Sequence, residues 1–162
     1  MQSLLEHKCD LAVLFSPNLM PGITSIEVDQ SELVMVYTKD SLPGNPTTLA
    51  LCQLVDFEFI DISDSGPLGV LLWNRMMEEN ISFASKIKVQ TYFIAVRLVA
   101  QGGGICVVDK YTAQGNLSDN LVMASFDPPL HFSINLLHLE NRPLSKLACA
   151  FSTCLTDAIS SC

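Results

Sequence analysis

Hydroxyl side chains stand at the starts of two predicted helices, where they could hold an anion. Ser63-Asp64-Ser65-Gly66 precedes one apolar periodic segment, and Thr91 precedes another. The backbone N–H groups and the positive end of a helix suit a carboxylate. Each start by itself is also typical of a capped helix with nothing bound. Two helix starts that face one cleft would hold a carboxylate between them, so the pair is more informative than either one.

Asp109 is the candidate partner for a positively charged group. It directly follows the apolar segment 105–108, which has the composition of a buried strand. Ligands of open α/β sheets gather at the carboxyl ends of the strands. A carboxylate in that position could receive an ammonium group, and the alternative interpretation is a solvated aspartate in a turn.

Motifs for metals, nucleotides and nucleophilic catalysis are not found in the sequence. The histidines have no partner at His-x-x-x-His spacing, and the 6 cysteines form no Cys-x-x-Cys pair. Gly102-Gly103-Gly104 closes a predicted helix and opens a strand, which reverses the order of a dinucleotide site. These glycines therefore predict a helix stop and a tight crossing beneath the sheet. We expect no metal, no cofactor and no catalytic constellation.

Apolar strands that alternate with helices predict an α/β fold. Continuous apolar strands are typical of a mainly parallel sheet that is covered on both faces. Ser63 or Ser65 and Thr91 are the predicted helix caps, and the helix after Thr91 is apolar enough to be buried. Trp73, with Met76 and Met77, is interpreted as core, and an exposed dimer patch is the alternative. Strands are predicted over 10–15, 23–38, 57–62, 85–89, 105–108, 121–124 and 131–137, and helices over 48–54, 66–80, 92–101 and from 143 onward.

Composition excludes several classes of protein. With 162 residues, 49% hydrophobic and 16% charged, the chain fits one domain or two small lobes and not a disordered segment. The net charge of -8 makes it a poor binder of nucleic acid by itself. No apolar run reaches the roughly 18 residues of a membrane span, and no secretory signal is visible. We expect reduced cysteines, a cytoplasmic protein and no contact with a membrane.

Several segments, taken in order, resemble the effector-binding domain of LysR-type transcriptional regulators. Residues 4–13 are similar to the family's helix end and Asp-Leu-Ala-Ile-type strand, and residues 32–42 to its crossing strand. Residues 48–60 resemble its Thr-Leu-x-x-Leu helix and the following strand, and residues 98–108 its Val-x-x-Gly-x-Gly-Ile signature. Asp-Lys-Tyr-Thr-Ala over 109–113 resembles the branch that senses amino acids and opines.

This resemblance implies two α/β lobes of the type II periplasmic-binding-protein kind, joined by two crossing strands. Lobe one would hold residues 1–36 and 127–162, and lobe two residues 37–126. The winged helix-turn-helix and the first strand and helix of lobe one have no counterpart in the chain, so lobe one is expected to be incomplete. The cleft positions that match the family's effector site are Phe15, Ser16, Ser63, Ser65, Thr91 and Asp109.

Two hypotheses of function follow from the residues and the resemblance. The first is the sensing module of a regulator that binds a small carboxylate, an amino acid or a derivative of one, and forms a homodimer or tetramer. DNA would be bound only through a missing N-terminal domain. The subunit interface would involve region 16–23 and the helix that carries Trp73 and Met76. The alternative is a solute-binding protein or a small enzyme on the same fold, in which only Asp64 or Asp109 could serve as a base.

Overall fold

The computed structural model describes residues 1–62, 64 and 66–160, in which strands and helices alternate from residue 60 onward. A 3₁₀ turn at Leu51–Leu54 follows the third strand. The helices are α1 (Gln2–Leu5), α2 (Pro67–Glu78), α3 (Tyr92–Ala100), α4 (Lys110–Asn116) and α5 (Lys146–Ser160). The strands are β1 (Ala12–Phe15), β2 (Ile23–Thr38), β3 (Thr48–Leu49), β4 (Ile60–Asp61), β5 (Ile87–Lys88), β6 (Cys106–Asp109) and β7 (Leu121–Leu139).

The chain divides into two compact units, each of which draws on the long strands β2 and β7. The first unit comprises residues 1–31 and 132–162, and the second comprises residues 32–131. One boundary falls inside β2 and the other inside β7, so each of these strands contributes to both units. The predicted α/β class is therefore confirmed.

The relative direction of the strands differs from the prediction. The larger sheet has the order β1-β7-β2-β6, with β3 paired to β7. The β1–β7 and β2–β6 pairs are antiparallel, whereas β3–β7 and β4–β5 are parallel. The prediction of a mainly parallel sheet is wrong, because a continuous apolar run reports burial on both faces of a strand and not its direction.

The core of the second unit forms where β2 and β6 pair beneath α3. Val34 lies opposite Val108, and Val36 lies opposite Cys106, and all four residues are fully buried. Helix α3 contributes Ala95, Val96 and Val99 to the same cluster, and β4 contributes Ile60. This packing anchors β4, β6 and α3, which carry the candidate site at their ends.

The triple glycine has the predicted structural role. Gly102 has a φ of +81° just after α3, which is the left-handed stop of a helix. Gly104 has a φ of +119°, and a Cβ there would lie 2.1 Å from the carbonyl oxygen of Glu58. The backbone passes so close to Glu58 that Ile105 N–H donates to that oxygen at 2.9 Å.

Helix α2 buries only one of its two apolar stripes. Leu68, Leu72 and Met76 form one stripe and are buried. Trp73 is 53% exposed and Met77 60% exposed, so their interpretation as core is wrong. Periodicity identifies an apolar stripe, but it does not tell whether another element covers it.

Helices α3 and α5 are also less covered than their apolar character predicts. Phe93 and Ile94 on α3 are 57% and 48% exposed, although the same helix buries Ala95, Val96 and Val99. On α5 Ala148 is buried, whereas Leu147 is 81% and Phe151 52% exposed.

Three local predictions need correction. Residues 48–54 form the short strand β3 and a 3₁₀ turn rather than a helix. The residues after Asp109 form α4, which was not predicted. The two strands expected over 121–137 form one continuous strand. Among the described helices, none combines the length and the apolar character that crossing a membrane requires.

Candidate functional site

The carboxyl ends of β4 and β5 lie side by side in the second unit. The two strands are parallel, with Ile60 opposite Ile87 and Asp61 opposite Lys88. Val89 N–H donates to the Asp61 carbonyl at 2.9 Å and extends the pairing beyond β5. Parallel strands bring their carboxyl ends to the same edge, and ligands gather at such edges in α/β proteins.

Lys88 is the cation of this edge, and it contacts two carboxylates. Its Nζ lies 2.9 Å from Oδ2 of Asp64 and 3.8 Å from Oδ2 of Asp61. The hydrogen bond to Asp64 raises the pKa of Lys88, and the charge of Asp61 adds to that effect. The Lys88 and Asp64 side chains are 53% and 63% exposed, so water and ligands reach both charges.

An open pocket of about 530 Å³ lies at this edge. Its size falls within the usual range for sites that bind small molecules. It offers a carboxylate, an ammonium group, a hydroxyl and apolar surface. The residues that line it are Asp64, Lys88, Val89, Gln90, Thr91 and Ile94.

Thr91 occupies the N-cap position of α3, but its side chain does not cap the helix. Its backbone is extended, with φ −128° and ψ 134°, and its carbonyl accepts from Ala95 N–H at 3.2 Å. The hydroxyl makes no capping hydrogen bond, and the residue is exposed. The expectation of a hydroxyl cap is therefore wrong, and Thr91 lines the pocket instead.

Asp109 occupies the corresponding position of α4, where it is a true cap. The residue is only 3% exposed, so the interpretation as a solvated turn aspartate is wrong. Its Oδ1 accepts from Thr112 N–H at 2.8 Å, and its Oδ2 accepts from the Thr112 hydroxyl at 2.6 Å. Asp109 does not line the pocket of Thr91.

An ion pair fixes the start of α4 to β2. Lys110 Nζ lies 3.0 Å from Oε1 of Glu32, and the Ser125 hydroxyl donates to the same oxygen at 3.2 Å. The Glu32 side chain is 14% exposed. These contacts join the residue after Asp109 to β2.

Phe15 and Ser16 lie in the first unit, at the end of β1. Ser16 N–H donates to the Ser133 carbonyl at 2.8 Å, and Ser133 N–H donates to the Ser16 hydroxyl at 3.1 Å. The rings of Phe15 and Phe132 are 5.1 Å apart between centroids. Both predicted site residues are thus tied to β7, and Ser16 is exposed.

The structure brings together only part of the predicted site. Thr91 shares its pocket with Asp64, whereas Asp109 lies at another helix start of the same unit. Ser63 and Ser65 lie outside the described residues. Lys88 was missed because a single lysine in a predicted strand has no local signal. Its position just before the predicted start at Thr91 was the only available indication.

Comparisons with known proteins agree with the resemblance. The model of the LysR substrate binding domain family matches residues 1–160. The HTH-type transcriptional regulator DgcR of Pseudoalteromonas sp is 61% identical over 159 residues, which are 98% of this chain and 55% of that protein. The chain therefore spans about half the length of this curated relative.

Solved structures share the fold. The regulatory domain of Synechocystis PCC6803 CcmR, in complex with 2-PG, superposes with a TM-score of 0.82 at 17% identity, over 97% of this chain and 76% of that one. The effector-binding domain of QuiR, in complex with shikimate, gives 0.78 at 25% identity, over 94% and 72%. The family match extends over nearly the whole sequence, and the α/β architecture agrees with it. The chain belongs to the family of LysR substrate-binding domains.

Proposed function

We propose that the chain is the ligand-sensing domain of a LysR-type transcriptional regulator and that its effector is a small carboxylate, an amino acid or a derivative of one. The observation that carries this proposal is the pocket at the ends of β4 and β5, where Lys88, Asp64 and the start of α3 meet. A zwitterion matches a pocket that presents both an ammonium group and a carboxylate.

The carboxylate of the effector binds Lys88 and the Thr91 hydroxyl in this proposal. The ammonium of Lys88 is charged in the neutral range, since contact with Asp64 raises its pKa. The Thr91 hydroxyl makes no capping bond, and α3 begins directly after it. A helix start adds positive potential, which favours an anion.

The ammonium of the effector has two candidate partners. Asp109 is the partner that the strand-end argument proposes, and each of its oxygens retains a further lone pair after bonding Thr112. Asp64 is the second candidate, because it lines the pocket and is 63% exposed. A charged hydrogen bond of this kind contributes about 1.5–3 kcal/mol.

The remaining predicted positions complete the proposed site. We assign Phe15, Ser16, Ser63 and Ser65 to effector contacts on the basis of the family resemblance. The ligand named for QuiR, shikimate, is itself a carboxylate, and the fold of the two chains is shared.

The whole protein, in this proposal, binds DNA through an N-terminal domain and works in the cytoplasm as a homodimer or tetramer. The relative DgcR is named an HTH-type regulator, and almost half of its length lies outside the match. Helix α2 presents Val70, Trp73 and Met77 to solvent, which gives an assembly contact an apolar surface. Met76, predicted for this contact, is buried and packs inward instead.

Titration calorimetry with a panel of amino acids and their carboxamide analogues tests the proposal. The true effector should bind, whereas its carboxamide should bind at least tenfold more weakly, because the amide lacks the charge that Lys88 recognises. Recovery of the effector unchanged, checked by NMR, is expected of a sensor. Equal binding of an acid and its amide would overturn the carboxylate assignment.

Matched variants locate the two ends of the effector. Lys88→Gln should weaken binding by about tenfold, and Lys86→Gln is the control, since Lys86 pairs with Glu58 away from the pocket. Asp109→Asn and Asp64→Asn separate the two ammonium partners. The true partner should lose roughly one to two orders of magnitude in affinity. Undiminished binding by both variants would show that neither aspartate receives the ammonium.

A further inference from the structure

A second pocket lies in the first unit, where the end of α1, the start of β2 and the end of β7 come together. Its volume is about 390 Å³, within the usual range for sites that bind small molecules. It shares no lining residue with the pocket of Thr91, which lies in the second unit. The residues that line it are Leu5, His7, Gly22, Leu139, Asn141 and Arg142.

The polar part of this lining is rich in hydrogen-bond donors. His7 offers a ring N–H, Asn141 an amide NH₂ group and Arg142 a guanidinium. His7 and Asn141 are exposed, and neither side chain has a hydrogen-bond partner among the described residues. Among the described residues that line the pocket, none is acidic. A guanidinium fork beside further donors matches the geometry of a carboxylate or a phosphate group.

An ion pair holds Arg142 without using all of its donors. Nη1 of Arg142 lies 3.1 Å from Oδ1 of Asp10, and both side chains are 51% exposed. Contact through Nη1 leaves further N–H groups of the guanidinium for a ligand. Ion pairs as exposed as this one are weak, so an incoming anion can compete with Asp10. The cation Lys8 pairs with Glu6 at 2.5 Å and does not line the pocket, so Arg142 supplies the positive charge there.

His7 has a backbone conformation that suits glycine better than histidine. Its φ is +57°, in the left-handed region. His7 N–H donates to the Leu4 carbonyl at 3.0 Å, and Lys8 N–H donates to the Ser3 carbonyl at 2.8 Å, which closes the end of α1. Glycine is the usual residue at such a helix end, because a Cβ is strained there. The imidazole is thus present at a cost in stability, and a contact with a ligand gives it a role.

We propose that this pocket binds a small organic anion. The carboxylate or phosphate group of the ligand contacts Arg142, Asn141 and His7, and its apolar part lies against Leu5 and Leu139. The site is additional to the proposed effector pocket, because the two pockets belong to different units and this ligand needs no ammonium group.

Phenyl phosphate is the probe, titrated into the 162-residue chain at constant pH and ionic strength. The ring protons of the 3 histidines, followed by NMR, report where it binds. His7→Gly assigns the His7 signal, since glycine suits the φ of +57°. Phenyl phosphate should shift the His7 signal, saturate in the millimolar range and leave the His131 signal of the second unit unchanged. Benzoate in the same titration distinguishes a carboxylate ligand from a phosphate ligand.

Matched ligands test whether both parts of the probe are recognised. Phenol has the ring without the anionic group, and inorganic phosphate has the anionic group without the ring. Each should bind at least about threefold more weakly than phenyl phosphate, because each makes only part of the contacts.

Variants test the role of the guanidinium in both directions. Arg142→Gln should weaken binding of phenyl phosphate by about tenfold, because it removes the charged donor. Asp10→Asn should strengthen binding by about threefold, since it removes the carboxylate that competes for Arg142. Lys8→Gln is the control at an exposed cation outside the pocket and should bind as the wild type does. Circular dichroism checks that each variant is folded.

Three results would overturn the proposal. Equal weakening by Arg142→Gln and Lys8→Gln would show a general attraction of anions to surface cations. Equal shifts of the His7 signal by phenol and phenyl phosphate would show an apolar groove that does not recognise charge. A His7 signal that stays unchanged up to the highest concentration of phenyl phosphate and of benzoate would show that the pocket binds neither anion. Lys88→Gln, at the effector pocket, should leave the His7 shift intact, so the two proposals can fail separately.

Discussion

The starts of α3 and α4 look alike in the sequence but differ in the structure. Each helix follows a short strand of the second unit, and a polar residue, Thr91 or Asp109, occupies each N-cap position. Asp109 is buried, and both of its oxygens bond Thr112. Thr91 is exposed, and its hydroxyl caps nothing.

The difference lies in how far each side chain is satisfied by hydrogen bonds within the protein. Buried polar groups are stabilising when their hydrogen bonds are satisfied within the protein, which is the case at Asp109. A hydroxyl that lacks such bonds at the rim of a pocket has its bonding capacity available for a ligand. We therefore expect changes at Asp109 to lower stability, in addition to any effect on the proposed binding of the effector, and changes at Thr91 to act mainly on binding.

The largest effect is expected for Asp109→Ala. The change removes two hydrogen bonds to Thr112 and the cap of α4, so the free energy of unfolding should fall by about 2 kcal/mol. Urea denaturation measures it. Asp64→Ala, at a carboxylate that is 63% exposed, is the control and should cost less than about 0.5 kcal/mol. Equal losses would show that Asp109 stabilises the fold no more than an exposed aspartate does.

The pH dependence of stability tests whether water is excluded from β6, the strand before α4. Burial raises the pKa of the Cys106 thiol from 9.0 to about 12. Above pH 9 the unfolded chain loses this proton while the folded chain keeps it, so the free energy of unfolding falls as pH rises towards 12. The contribution is about 1.4 kcal/mol per pH unit at most.

Cys106→Ala isolates this contribution from other groups that titrate in alkali. Burial also raises the pKa of Tyr37, which both proteins share. Urea midpoints between pH 9 and 10.5 should decline more steeply for the wild type than for Cys106→Ala. Parallel declines would mean that water reaches β6.

A third variant, Thr91→Asp, should give α3 the side-chain cap that it lacks. A carboxylate at an N-cap accepts backbone hydrogen bonds and interacts favourably with the helix end, so thermal unfolding should report a gain of about 0.5–1 kcal/mol. The same charge should repel a carboxylate effector and weaken its binding at least tenfold. Thr91→Asn is the control, because asparagine caps without adding charge. An effector that tolerates Asp at this position does not place its carboxylate there.

The smallest effect on stability is expected for Thr91→Ala. A threonine that caps a helix is worth about 1 kcal/mol, but this hydroxyl makes no capping bond. The free energy of unfolding should therefore change by less than about 0.5 kcal/mol in urea denaturation. Effector affinity should fall nonetheless, and a stability loss near 1 kcal/mol would show that the hydroxyl caps α3 in solution.

Local patterns were enough to locate many elements. The strand predicted over 23–38 is β2, Ile23–Thr38, because β-branched residues and alternation act within the segment itself. The helix after Gly66 was also predicted, since Pro67 and the stripe of Leu68 and Leu72 are local signals. Helix α4 was missed, because its seven residues are too few to show a clear period.

The site residues show the limit of the same reasoning. Thr91 and Asp109 could be named as candidates because helix starts and strand ends are visible in the sequence. Lys88 was not found, because its importance depends on the parallel pairing of β4 with β5, whose residues are distant along the chain.

The sequence by itself determined the α/β class, the long strand β2, the glycine stop after α3, the polar start of α3 and the aspartate at the end of β6. Each of these depends on interactions within a few residues. Only the tertiary structure decided that Asp109 is buried, that Thr91 is open and that Trp73 faces solvent. Burial and charge pairing depend on which distant segments of the chain are in contact. A local sequence pattern does not contain that information.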